Sequence, residues 1–383
     1  MLKSIELLIN LGYSNKDAED IASSYPLVTL KDETLCKKIN ENFNYLIGLG
    51  YTKTDVIKMT KLLPTLYSYS KENIKVKIVF LISLGYTKSD VIKMTKSLPT
   101  LYGLSKETIE DKILFLISLG YTKADVIKMT RLLPQLYSYS KENIKVKIVF
   151  LISLGYTKSD VIKMTKSLPT LYGLSKETIE DKISFLISLG YTKADVIKMA
   201  KSFPSLHGYG KETIEEKIAF LISLGYTKAD VIKMTKSFPS LYNYSKETIE
   251  EKITFLMSLG YTKADVIKMT KLLPSLYGLS KENIEEKIRY LKEIGLESIV
   301  INDTKKLMQS APLTYARYEF LTKEKCISID EFNCRKLFCN ETMFKKQYGV
   351  SKEVLLKKYN YEEYKNNNNF KKFKYNYSLF CLS

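Results

Sequence analysis

The sequence predicts an all-α protein, an α-solenoid superhelix of about nine repeats, each made of a helix, a second helix and a short 3₁₀ turn. Three observations carry this. Leu-Gly-Tyr recurs with glycine at 12, 50, 85, 120, 155, 190, 225 and 260, then as Ile294-Gly295-Leu296, and from Gly50 onward every spacing is 35 residues. All nine prolines keep the same rhythm, from Pro26 through Pro64, Pro99, Pro134, Pro169, Pro204, Pro239 and Pro274 to Pro312, with the first and last intervals stretched to 38. Residues 67–113 recur unchanged as 137–183, so a block of two repeats has been copied.

Residues 105–140 show how one repeat is built. Ser105 is placed to cap a first helix, Glu107, Glu110 and Asp111 suit the positive end of its dipole, and Ile109, Ile113, Leu116 and Ile117 recur at helical spacing. Gly120 follows the last periodic residue as a left-handed C-cap, which lets Tyr121 pack back on Leu116. Thr122-Lys123-Ala124-Asp125 then reads as a capping box with Asp in place of Glu, and Tyr121 faces Val126 as a hydrophobic staple. The second helix runs through Val126, Ile127, Met129 and Thr130 to Leu133, which the following proline drives out of helical geometry. Pro134-Gln135-Leu136-Tyr137 forms a short third turn before Ser140 caps the next first helix. One apolar stripe per helix cannot be buried within a single repeat, so neighbours must stack.

The chain has 383 residues, 45% of them hydrophobic and 27% charged, enough for a large folded core. The 60 Lys and Arg outnumber the 42 Asp and Glu, leaving +18 formal charges, which points to a polyanionic partner. A single histidine, His207, and five cysteines (Cys36, Cys326, Cys334, Cys339, Cys381) without a CxxC pair supply no metal motif and no disulfide framework. His207 stands where other repeats carry Tyr, so packing is its expected role. No singular constellation suggests catalysis or a cofactor. The N-terminal apolar run is too short for a signal peptide, and no stretch reaches the ~18 apolar residues of a membrane helix. A soluble intracellular monomer is expected, cytoplasmic or nucleoid-associated, without a small-molecule substrate or a membrane partner.

Leu-Gly-Tyr-Thr-Lys-x-Asp-Val-Ile, then Leu/Phe-Pro-x-Leu-Tyr, then Ser-Lys-Glu-x-Ile-x-x-Lys-Ile-x-Phe-Leu resembles the repeat of the mitochondrial transcription termination factor (mTERF) family. Pro312, Tyr318-Glu319-Phe320-Leu321 and Phe344-Lys345-Lys346-Gln347-Tyr348 are similar to the segment that closes those proteins. The resemblance spans roughly residues 1–358. It implies a helical superhelix that binds double-stranded nucleic acid in transcription, RNA processing or ribosome assembly, with a mitochondrial location as one option.

Charge adds a candidate site. At about 100° per residue, Lys228, Lys233 and Lys236 fall opposite Val231, Met234, Thr235 and Phe238. The same triplet recurs as Lys53, Lys58, Lys61; Lys88, Lys93, Lys96; Lys123, Lys128, Arg131; Lys158, Lys163, Lys166; Lys193, Lys198, Lys201; and Lys263, Lys268, Lys271. In a regular array these positions line one surface, a geometry suited to a phosphate backbone. The expected partner is nucleic acid, duplex DNA ahead of RNA, with weak sequence preference. RNA binding or a protein-interaction scaffold are the alternatives. Acid gathers on the first helices, where Lys217 and Lys252 sit among acidic neighbours. Ile74-Lys75-Val76-Lys77 and Ile144-Lys145-Val146-Lys147 replace acid with base. The Pro-x-Leu-Tyr tyrosines are expected in the seams between repeats, with base stacking the lesser alternative. The domain reading is a repeat array over 1–300, then a degenerate last repeat and helical cap over 301–358 carrying Lys323, Lys325, Arg335, Lys336, Lys345 and Lys346. A basic, Asn-rich mobile tail over 359–383 completes it.

Overall fold

The computed structural model describes residues 2–367, and every regular element among them is helical. Nine helix–helix–3₁₀ repeats follow one another. They fall into two compact units, one of residues 1–209 holding the first six repeats and one of residues 210–383 holding the last three and the C-terminal cap. Each unit is a stretch of α-solenoid in which the second helices of successive repeats pack on one another.

The repeat at 105–140 forms as its sequence dictates. Lys106–Leu119 is the first helix, Lys123–Leu132 the second and Pro134–Tyr137 the 3₁₀ turn. Ser105 Oγ accepts the Thr108 N–H at 3.0 Å. Gly120 takes φ +114°, which a Cβ would oppose, and Schellman bonds run from the Gly120 and Tyr121 N–H groups to the carbonyls of Ile117 and Leu116. Thr122 and Asp125 exchange both bonds of a capping box, and Leu133, at φ −135° and ψ 80°, breaks the helix ahead of Pro134. Ile109, Ile113 and Leu116 join Val126, Met129, Leu136 and Tyr137 in the core.

Polar bonds stitch one repeat to the next through side chains the sequence marks for packing. Tyr121 Oη reaches Thr165 Oγ1 and Tyr172 Oη of the following repeat, both at 2.6 Å. Tyr51 does the same with Thr95 and Tyr102, and Tyr86 with Thr130 and Tyr137. In the second unit Tyr226 meets Thr270 and Tyr277. Each hydroxyl gains a partner that its burial requires. The Pro-x-Leu-Tyr rings are therefore seam residues, buried beyond the reach of a stacking base.

The sixth repeat departs from this pattern. Ala200 stands where the neighbouring repeats carry Thr165 and Thr235, His207 replaces Tyr, and Gly210 replaces the capping Ser, leaving the next helix without a side-chain cap. Tyr156 Oη lies 3.2 Å from His207 Nε2, while His207 Nδ1 is buried without a hydrogen-bond partner. Burial, with Lys182 nearby, pushes the His207 pKa down to about 4.

The C-terminal part departs from the regular repeat, and one expectation about it needs correction. The ninth repeat keeps only a six-residue second helix, Glu297–Asn302, followed by the 3₁₀ turn Thr304–Met308. Pro312 therefore does not open a 3₁₀ turn. It lies in the first turn of the helix Ala311–Glu319, where its missing N–H costs nothing. Nor does the packed chain stop at 358. Tyr361–Asn367 is helical, and Tyr361 and Tyr364 close on Tyr290 and Tyr315 with ring centroids 4.5–5.9 Å apart, a ring cluster whose burial outweighs the polarity of the flanking sequence. The remainder of the expected tail, including Lys371, Lys372, Phe373 and Lys374, lies outside the described residues. Arg317, also in the cap, is buried and donates to the carbonyls of Leu337 and Cys339 at 3.1 and 2.6 Å.

Candidate nucleic-acid interface

The basic triplet resolves into three positions with different surroundings. The first position opens the second helix at its N1 residue: Lys53, Lys88, Lys123, Lys158 and Lys193 in the first unit, Lys228 and Lys263 in the second. All are exposed and make no ion pair. The second position lies mid-helix: Lys58, Lys93, Lys128, Lys163 and Lys198, then Lys233 and Lys268. These are exposed too, and Lys268 Nζ donates to Asn302 Oδ1 at 2.8 Å. Because second helices stack within each unit, the two positions form neighbouring rows of cations there.

The third position is committed elsewhere. Lys96 bonds Asp55 at 2.7 Å, Lys166 bonds Asp125 at 2.7 Å, Lys201 bonds Asp160 at 2.9 Å and Lys271 bonds Asp230 at 3.0 Å. Lys61 with Asp17 and Arg131 with Asp90 complete the series at 3.0 and 3.3 Å. Lys236 shares the register and is half-buried. In every pair the carboxylate belongs to the preceding repeat, and in all but the Lys61–Asp17 pair it already closes the capping box of its own second helix. Lys166 beside Asp125, aided by the Thr122 bonds and opposed by partial burial, holds that carboxyl down at about 2, and Lys201 does the same for Asp160. A cation neutralised across a seam offers less to a phosphate than one standing free.

The first-helix lysines are not the surface charges their neighbours suggest. Lys77, Lys112, Lys147, Lys182, Lys217, Lys252 and Lys287 are buried. Each ammonium donates to a backbone carbonyl in the connection leaving its own repeat: Leu104, Tyr139, Leu174, Tyr209, Tyr244, Leu279 and Leu307 in that order. Burial lowers the pKa values of Lys77, Lys112, Lys147, Lys217, Lys252 and Lys287, and for Lys112 the nearby Lys141 adds to the effect. Lys77 and Lys147 are thus committed to backbone carbonyls, and of the lysines in those segments only Lys75 and Lys145 are exposed. A wheel drawn on one helix cannot reveal this role, because the accepting carbonyls lie 20 to 27 residues downstream.

The geometry defines a tandem helical-repeat protein with rows of exposed lysine on its stacked second helices. The family model for mTERF matches residues 1–119, 102–223 and 209–326, and the chain belongs to the mTERF family. Membership carries nucleic-acid binding in the regulation and termination of transcription as the general role. No curated protein matches the chain. No helix among the described residues is long and apolar enough to cross a membrane.

Proposed function

We propose that the chain binds duplex DNA along the lysines of the first and second positions and discriminates little between sequences. The observation that carries this is the pairing of two exposed lysine rows, Lys123, Lys158 and Lys193 beside Lys128, Lys163 and Lys198, on second helices that contact one another in turn. Such rows neutralise phosphates and release counterions without reading bases. The residues between them, Ala124, Ser159 and Ala194, are exposed and too small to reach base edges, and the copied block presents identical surfaces twice. In this reading the protein acts on transcription by occupying duplex rather than by selecting a single site.

The deciding experiment measures binding of the purified chain to matched duplex DNA, duplex RNA and single strands at two salt concentrations. Tightest binding to duplex DNA with a steep salt dependence supports the proposal. Equal or tighter binding to either RNA form, or affinity indifferent to salt, overturns it.

A further inference from the structure

The outer registers of the first helices hold a second surface, independent of the lysine rows. Val79, Leu114 and Val149 occupy one position in three successive repeats of the first unit and are 57%, 65% and 65% exposed. Ser184, Ala219 and Thr254 fill that position in later repeats. One turn earlier, Val76 and Val146 are also exposed, where other repeats place Asp111, Asp181, Glu216 and Glu251. Beside Val146 and Val149 a groove of about 310 Å³ opens, walled by Phe150 and flanked by Lys145 and Lys176, with Glu142 the one carboxylate on its lining.

The cations at this surface lack a partner that comparable repeats supply. Lys141 bonds Asp111 at 2.7 Å and Lys281 reaches Glu251 at 3.7 Å, each a first-helix N1 lysine meeting the acid of the preceding repeat. At Lys106 and Lys176 that acid is replaced by Val76 and Val146. Their ammonium groups keep only the ring contact common to these repeats, over Phe80 and Phe150 at 5.5 and 5.7 Å from the centroids, as Lys141 lies over Phe115 at 5.6 Å while also bonded to Asp111. The same lysine, valine and phenylalanine set thus occurs twice, 70 residues apart, with Leu114 between.

We infer that this face docks an acidic amphipathic segment of another protein, whose apolar side chains cover Val79, Leu114 and Val149 while its carboxylates meet Lys106 and Lys176. The partner supplies in trans what Asp111 supplies to Lys141 in cis. Contiguous exposed apolar side chains rimmed by charge mark contact surfaces, and a helix laid into such a groove uses anchors at helical spacing.

The test uses substitutions this chain already carries at the same registers. The probe is a synthetic 18-residue helical peptide with Leu along one face and Glu on both flanks. A scrambled peptide of equal composition sets the baseline, since a chain of +18 attracts any acid. The triple variant V79S/L114S/V149S keeps every charge, and V76D/V146D supplies the missing acids. The expected result is at least tenfold tighter binding of the amphipathic peptide than of the scrambled one. Both variants should remove that advantage while keeping the parent melting temperature and affinity for duplex DNA. Equal binding of the two peptides, or an advantage that survives both variants, overturns the inference. So does self-association by sedimentation that the triple variant abolishes, which assigns the face to a second copy. Binding to phosphatidylserine vesicles lost in that variant, with peptide binding kept, assigns it to a membrane. The inference stands or falls apart from duplex binding, whose residues the variants leave untouched.

Discussion

Lys166 and Asp125 meet at 2.7 Å across a seam between repeats, and the same carboxylate receives the Thr122 N–H that caps its own helix. One side chain therefore starts a helix and fastens the next repeat. Protonating it loosens both.

Stability should consequently fall in acid over a defined window. The carboxyls of Asp125 and Asp160 are held at about 2, below the ordinary Asp value near 4. A depressed carboxyl contributes fully above its unfolded pKa and loses that contribution as pH drops through the folded one. Beyond the loss that the buried His207 causes above pH 4, chemical denaturation midpoints should decline further between about pH 4 and pH 2. In Asp125→Asn the midpoint should start lower and decline less across that window.

The lysine rows can be tested where they are exposed and unpaired. Lys128, Lys163 and Lys198 changed together to Gln remove three charges from the first unit without touching a buried side chain, so melting should hardly move. If each lysine neutralises one phosphate, the slope of log K against log salt on duplex DNA becomes shallower by about 2.7. An unchanged slope with intact circular dichroism would return these lysines to a solubilising role.

The first-helix lysines should behave in the opposite way. Lys112→Met leaves the Tyr139 carbonyl without its ammonium and should cost about 1–3 kcal/mol of stability. Urea titration checks the loss. The salt slope on DNA should stay at the parent value, because the buried ammonium faces no phosphate. For the same reason Lys217 and Lys252 cannot serve as inert controls for surface charge.

The odd seam at Tyr156 offers a gain instead of a loss. Ala200→Thr with His207→Tyr rebuilds the hydroxyl trio found at Tyr121, Thr165 and Tyr172, and removes a buried ring nitrogen that has no partner. The double variant should be more stable by about 1–2 kcal/mol. A histidine lowered to about 4 is stabilising only while neutral, so the parent should lose stability as pH falls from about 6.5 toward 4. Differential scanning calorimetry at pH 7 and pH 5 should show a smaller drop in the variant.

Gly190 ends the sixth first helix at φ +114°. Gly190→Val forces a β-branched residue into the left-handed region and should cost roughly 1–3 kcal/mol. A thermal melt matching the parent would contradict the Schellman ending.

The repeat, its caps and its breaks were legible because local chemistry decides them. Ser105, Gly120, the Thr122 and Asp125 box and Pro134 each act within a few residues of their own position. What could not be read from one helix is what the adjoining chain brings to it. Arg131 and the third-position lysines look like open cations until Asp90 and its equivalents arrive from the preceding repeat. Lys112 looks solvated until the Tyr139 carbonyl closes over it. A hint did lie in the sequence, since Tyr, Thr and Tyr recur at constant offsets of 44 and 51 residues. Periodicity exposes such a constraint and leaves its chemistry unnamed. Pro312 shows the reverse hazard, a residue close to the right phase serving a different turn.

The seam has a consequence for how long such a protein can be. Every regular repeat presents Tyr and Asp toward its successor and Thr, Tyr and a basic residue toward its predecessor, so the two sides of the joint fit any pair of units. Inserting or deleting 35 or 70 residues therefore creates no new interface and leaves no unmatched one. Copy number becomes a quantity that unequal recombination can change in one step, and the identical stretches 67–113 and 137–183 are what such a step leaves behind. The reach of the lysine rows would then be set by the count of repeats rather than by the refinement of any one of them.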